Sequence, residues 1–199
     1  ISGVANQRAF TVIIPAHNEE AVISRCLARL LGDAPGNHPA QVLVAANGCN
    51  DRTVELARGF APEVMVLDLP EGSKTKAMNA ANMHARHFPR IYLDADVQCS
   101  FATLSALAEA LRVPGVMAAS PALRMDLSRS DFLVRAYYRV WLTQPYATDA
   151  MVGSGCFGLS QEAYDRIGDF PEIIGDDIWV HSRFSGAERR NISTDNSGQ

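Results

Sequence analysis

Two pairs of carboxylates stand out in the chain. Asp94 and Asp96 flank one small residue in "RIYLDADVQC", directly after an apolar run, and Asp176 and Asp177 are adjacent in "GDDIWVH". Carboxylates held this close raise the cost of ionising one another. A divalent cation relieves that cost, and oxygen ligands suit Mg²⁺ or Mn²⁺. The plainer reading of the first pair is a helix cap, a role that Ser100 fills better. In the second pair, a carboxylate near a bound metal can serve as a general base; alternatively, Asp176 caps a helix beginning at Asp177. His181 lies four residues after Asp177, on the same helical face, and is either a further metal ligand or structural.

Lys74 and Lys76 follow Gly72 and Ser73 at the start of a predicted helix, where free amides and the positive dipole end attract phosphate. The alternative is a pair of solvated surface lysines. A Walker A loop is excluded, because the upstream glycine and the spacing are absent. The run "GSG", Gly153, Ser154 and Gly155, either admits close backbone approach by a ligand or marks a turn or bulge. Residues 132–146, with Tyr137, Tyr138, Trp141 and Tyr146, read as an aromatic helix forming core and acceptor wall, with an interfacial role as the alternative.

The elements that must position these groups alternate. "FTVIIP" (10–15) reads as a buried parallel strand, and Val22, Ile23, Cys26, Leu27, Leu30 and Leu31 then recur at helical spacing up to Gly32. Strands are expected at 41–46, 63–69 and 90–93, with helices from Thr53 to Phe60, from about Thr75 to His87, and after Ser100 with Leu104, Leu107 and Leu111 on one face. Such alternation implies a mostly parallel sheet covered on both sides, with ligands outside the carboxyl ends of its strands. "PAHNEE", "NGCND", "EGSK" and "DAD" all fall at such ends. From about residue 115 the rhythm changes, with strands predicted at 115–125 and 151–160 and a helix over 161–170 closed by Gly168.

The 199 residues, 47% hydrophobic and 20% charged, fit one domain with a substantial core. A net charge of −4, with scattered Lys and Arg, argues against nucleic acid as a partner. Cys26, Cys49, Cys99 and Cys156 lie far apart and read as reduced thiols of a cytosolic protein. There is neither a run of about 20 apolar residues nor a signal-peptide core at the start. The chain begins with Ile rather than Met, which leaves room for further sequence, including a membrane segment.

Taken together, "VIIPAHNEE", "ANGCNDRT", "GSKTKAMN", "LDAD" and "GDD" resemble, in order, the motifs of family 2 glycosyltransferases of the GT-A fold, over about Phe10 to Arg183. The resemblance implies an α/β, Rossmann-like sandwich with a mostly parallel central sheet and helices on both faces. A single domain over 1–199 is expected, with 1–114 as the nucleotide-sugar half and 115–199 as the acceptor half, the latter open to truncation at the C-terminus. It implies a nucleoside-diphosphate sugar as donor and Mn²⁺ or Mg²⁺ as cofactor. Asp96 would ligate the metal and Asp94 would contact ribose or reach the metal through water. Pro15, Ala16, His17, Glu19, Asn47 and Ala95 would border the nucleotide, Lys74 would lie near it, and Asn79 would brace the loop. Asp177 matches the catalytic base, with Asp176 beside it. Gly153, Ser154, Gly155 and Trp179 are expected on the acceptor side. The acceptor could be a glycan, a lipid or a small molecule, and the location is expected to be cytoplasmic, extending to peripheral contact with the inner membrane face.

Three departures narrow this. Ala46 and Asn47 stand where the family has two acids, and Asn47 can donate as well as accept, so the donor base stays open between uracil, guanine and others. Asp176 replaces the usual Glu. The later "QxxRW" motif is absent, which argues against a processive synthase unless that segment lies beyond residue 199. Two alternatives stay beside the glycosyltransferase reading. A nucleotidyltransferase would carry a glycine-rich first turn, which "PAHNEE" lacks, and a non-catalytic nucleotide-sugar-binding domain could dispense with Asp177.

Overall fold

The computed structural model describes residues 8–121 and 154–193. Strand β1 (Phe10–Ala16) is buried along its whole length. Its side chains alternate between two cores, as the pleat requires. Phe10, Val12, Ile14 and Ala16 join one, and Ile13 joins the other. Helix α1 (Ile23–Leu31), strand β2 (Ala40–Asn47), helix α2 (Thr53–Arg58) and strand β3 (Val64–Leu69) follow. Then come α3 (Lys74–His84), β4 (Arg90–Leu93), α4 (Phe101–Ala110) and β5 (Ala118–Pro121). After residue 154 come β6 (Cys156–Leu159), α5 (Gln161–Ile167), α6 (Asp176–Arg183), a short 3₁₀ turn and β7 (Arg189–Ile192).

These strands form one seven-stranded sheet in the order β3-β2-β1-β4-β6-β5-β7. The β3-β2-β1-β4 half is parallel throughout, whereas β6 runs antiparallel to both β4 and β5. Helices α1, α2 and α4 contribute Leu27, Ala57 and Leu104 to the first core. Helices α3, α5 and α6 contribute Met78, Ala163 and Val180 to the second, on the opposite face. This is the two-sided sandwich that the alternation predicts. Among the described residues no helix is long and apolar enough to cross a membrane.

The boundaries shift where local chemistry decides them. Helix α3 starts one residue earlier than its apolar spacing suggests, because the Ser73 hydroxyl accepts from the Lys76 amide as an N-cap. It also ends at His84, three residues short of the expectation, and α2 ends at Arg58 rather than Phe60. Ser100 caps α4 by accepting from the Thr103 amide, and Gly168, at φ 67°, closes α5. Strand β5 is confined to 118–121 among the described residues and β6 begins only at Cys156. The Tyr137, Tyr138, Trp141 and Tyr146 stretch and Gly153 lie outside the described residues.

One feature of β1 opens the site. Its pairing with β4 stops at Ile13–Tyr92, while its pairing with β2 runs on to Ala16–Ala46. Pro15 sits in that unpaired stretch, where its missing N–H takes nothing from β4. A crevice therefore forms at the switch point between β1 and β4.

Candidate donor and acceptor site

Three loops close around the crevice. The first, after β1, is tied to the second, after β2, through Asp51 and Thr53. The Thr53 hydroxyl accepts from the Glu19 amide at 2.7 Å and donates to Asp51 Oδ1 at 2.6 Å, while the Glu20 amide donates to Asp51 Oδ2 at 3.0 Å. Desolvation opposes ionisation of Asp51, yet the hydrogen bonds from Thr53 and Glu20 hold its pKa below the ordinary carboxylate value. The third loop, after β3, passes so close to the second that a Cβ on Gly48, which has φ +56°, would lie 2.7 Å from the Gly72 nitrogen. Glycine is required there on both counts.

Most of the residues expected around a nucleotide line one cavity. A cavity of about 390 Å³ is lined by Pro15, Ala16, His17, Glu19, Asn47, Gly72, Lys74, Asp94, Ala95 and Asp96. That set contains every residue expected around the nucleotide except Asn79. Asn79 instead grips the chain ahead of α6, donating to the Phe170 carbonyl at 2.8 Å and accepting from the Phe170 amide at 2.9 Å. His17 Nδ1 lies 2.6 Å from the Asn47 carbonyl, so Nδ1 carries a proton. The buried Asn47 side chain spends its amide hydrogens on the carbonyls of Ala16 (2.9 Å) and Ala45 (3.2 Å). Its Oδ1 is the atom it can offer a ligand.

A larger cleft, of about 1210 Å³, adjoins the first. Gly72, Lys74, Asp94 and Asp96 line both cavities. Ser154, Gly155, Asp176 and Asp177 line the larger one. Gly155 has φ +61°, and a Cβ there would stand 2.5 Å from Val97 Cγ2 and 3.3 Å from Asp94 Oδ2. Its carbonyl accepts from the Asp94 amide at 2.8 Å. The close approach at "GSG" is thus made by the chain's own acidic loop.

Lys74 joins the two acidic pairs. Its Nζ lies 2.7 Å from Asp94 Oδ1 and 2.9 Å from Asp176 Oδ1. Burial works against the ammonium, but the two carboxylates outweigh it and raise the Lys74 pKa. For Asp94, burial raises the pKa; Lys74 pulls it down, and Asp176 and Asp96 push it further up. Asp176 is buried and belongs to α6 itself, whose N-cap is Gly175 at φ 88°, so it does not cap a helix beginning at Asp177. Its partner is Lys74, 102 residues away in sequence. The Asp177 carboxylate accepts from the Ile178 amide at 2.8 Å.

Two residues expected near the chemistry line neither cavity. The Trp179 ring lies 5.8 Å from Phe170, with the Arg183 guanidinium 4.9 Å from its centroid. His181 Nε2 is buried within the fold. The sequence reading missed the wall formed by Glu172, Ile173, Ile174 and Gly175. The available signal was an apolar pair in a polar loop between Pro171 and Gly175, and Ile174 is fully exposed.

The two carboxylates at 94 and 96 suit a hard cation. Among the described residues no group of three or more His, Cys, Asp and Glu side chains could hold a metal by itself. Such a pair fits Mg²⁺ or Mn²⁺ whose remaining ligands are water and substrate phosphate.

The sequence pattern of the family described as "Glycosyl transferase family 2" matches residues 11–168. No curated protein matches the chain. Several solved structures are similar in fold. The mannosyltransferase PcManGT from Pyrobaculum calidifontis, in complex with GDP-Man and Mn²⁺, is 23% identical with a TM-score of 0.70; the match covers 94% of this chain and 55% of that one. The present chain therefore spans little more than half the length of that relative. Glucosyl-3-phosphoglycerate synthase from Mycobacterium tuberculosis, in complex with Mn²⁺, UDP and glucosyl-3-phosphoglycerate, is 17% identical with a TM-score of 0.68, covering 96% of this chain and 71% of that one. Mannosyl-3-phosphoglycerate synthase from Rubrobacter xylanophilus is 18% identical with a TM-score of 0.68, covering 96% and 68%.

Proposed function

The chain belongs to glycosyl transferase family 2, and from that premise we propose that it moves a sugar from a nucleoside-diphosphate donor to an acceptor hydroxyl in one inverting displacement. The observation that best supports this is the meeting of two cavities at Lys74, Asp94 and Asp96, with Asp177 on the wall of the larger. The smaller cavity takes the nucleoside and the larger takes the sugar and acceptor, so the diphosphate lies where they join.

In this proposal the Asn47 Oδ1 accepts from a ring N–H of the base. That favours uracil or guanine, both of which carry an N–H beside a carbonyl, over cytosine or adenine. The Lys74 ammonium pairs with the diphosphate. A divalent cation held by Asp96 and Asp94 would offset the charge that builds on the departing diphosphate. Asp177 takes the proton of the acceptor hydroxyl as its oxygen bonds to the anomeric carbon, and the bond from that carbon to the diphosphate oxygen breaks. No covalent nucleophile is required. Ser154 and Gly155 border the acceptor's approach, and His181 has no role in this scheme.

Calorimetric titration with UDP and GDP, with and without MnCl₂, tests the donor site. The expected result is metal-dependent binding that Asp96→Ala removes; binding of neither nucleotide, or binding indifferent to both metal and Asp96→Ala, rejects the proposal. Asp177→Asn is expected to keep that affinity while transfer or donor hydrolysis falls by about 10²- to 10⁴-fold. Near-normal turnover excludes Asp177 as the base. Proton NMR of the product's anomeric configuration checks inversion.

A further inference from the structure

Helix α3 holds the approach to α6 at three successive points. Asn79 exchanges two hydrogen bonds with the backbone of Phe170. Lys76 Nζ lies 3.1 Å from Glu172 Oε1 and also pairs with Glu71. Lys74 reaches Asp176. Residues 79, 76 and 74 thus meet 170, 172 and 176 in antiparallel order, and the last contact falls on the first turn of the helix that carries Asp177. Phe170 fixes the far end of the segment, buried with its ring 5.0 Å from Tyr92.

The three contacts do not have the same standing when a donor arrives. Lys74 lines both cavities, so the donor diphosphate of the proposed reaction competes with Asp176 for its ammonium. Asp176 is 5% exposed, and a buried carboxylate that loses its cation becomes costly to hold in place. Lys76 and Asn79 line neither cavity, although Glu172 stands on the wall of the larger one; neither contact uses the Lys74 ammonium, so neither is given up when Lys74 pairs with the diphosphate. We infer that Lys76, through Glu172, and Asn79, through Phe170, are positioning residues that hold the Asp177-bearing helix in register when Lys74 turns from Asp176 to the donor. This inference rests on the donor reading above.

Hydrogen–deuterium exchange of residues 170–183 in the full chain tests it, read by mass spectrometry with and without saturating UDP or GDP plus MnCl₂. Lys76→Met removes the exposed tether at a residue that lines neither cavity. Exchange in the loaded variant is expected to be about two- to fivefold faster than in the loaded wild type, the scale of one exposed ion pair, whereas the two empty proteins differ less because Lys74 still holds Asp176. Glu172→Gln is expected to behave as Lys76→Met, and Lys76→Arg as the wild type. Nucleotide affinity and donor KM stay unchanged in the two Lys76 variants, whose side chain lines neither cavity, and turnover falls with exchange protection. Faster exchange that is equal in the empty and loaded states marks a merely structural tether and overturns the inference, as does loaded-state protection equal to the wild type. Either result leaves the donor reading standing if the nucleotide still binds with metal. Failure of both nucleotides to bind the wild type overturns the donor reading and this inference with it.

Discussion

Asp94, Asp96, Glu19 and Asp176 crowd one crevice, and the fold bears that crowding in the pKa values. Asp94 is raised by burial, with Lys74 opposing and Asp176 and Asp96 adding to the rise. Glu19 is raised by burial first and then by Asp96, Asp51 and Asp94. A carboxyl whose folded pKa exceeds its unfolded value binds its proton more tightly in the native state. Its ionisation therefore weakens the fold, with no cost below the unfolded pKa and the full cost above the raised folded one. Asp96 contributes to both shifts while being exposed itself. Asp96→Asn is thus expected to raise the melting temperature at neutral pH by about 1–3 °C, given the small worth of exposed charges. The gain should shrink as pH falls through the raised pKa values of Asp94 and Glu19. Scanning calorimetry of both proteins from about pH 7 to pH 4 checks this, and a gain independent of pH would assign the effect to something other than charge crowding. The same substitution is expected to abolish metal-dependent nucleotide binding, an exchange of stability for function common at active sites.

At the scale of elements, the site depends on how closely the acidic loop after β4 approaches the start of β6. Gly155 meets that demand twice, with a φ of +61° and with Val97 Cγ2 standing 2.5 Å from where a Cβ would be. Gly155→Ala brings a left-handed backbone cost of about 1–2 kcal/mol and a clash that only movement of the 94–97 loop relieves. The expected outcome is a lowered melting temperature together with weaker nucleotide binding in the presence of MnCl₂. Adding Val97→Ala should recover part of the binding, because it removes the atom in the way, but not the stability lost to the backbone conformation. Binding unchanged in Gly155→Ala would show that the loop's position is not what sets affinity. Elsewhere the loops are fastened by short polar side chains, as where the Asp33 carboxylate accepts from the Phe101 amide at the start of α4.

At the scale of the molecule, β4 is the seam. It is the last strand of the parallel β3-β2-β1-β4 half, and its other edge pairs antiparallel with β6, which comes from the later half of the chain. Most of the parallel half was legible in the sequence, because strand ends converge on one edge of a parallel sheet and the polar clusters fall at those ends. That rule gathers the clusters "PAHNEE", "NGCND", "EGSK" and "DAD" on one edge, whereas the places of Pro15, His17 and Asn47 beside a nucleotide came from the family resemblance. The antiparallel course of β6 was not legible, since periodicity reports how a strand is buried and not which neighbour it takes. Nor was the Lys74–Asp176 pair, which joins residues from opposite halves. That pair, with Asn79–Phe170, makes the halves mechanically continuous and leads to a prediction for the whole chain. Free ligand at about 100 times its Kd stabilises a protein by about 2.7 kcal/mol, which for a chain of this size is a rise of about 5–10 °C in melting temperature. With MnCl₂ and the better-bound of UDP and GDP, the chain is expected to melt in a single transition displaced by that amount. Lys74→Met should shrink the displacement, because it removes the cation for the diphosphate. It should also lower the melting temperature without ligand, because it leaves Asp176 buried without its partner. Two transitions, only one of which moves with ligand, would mean that the halves unfold separately and that β4 does not bind them into one cooperative unit.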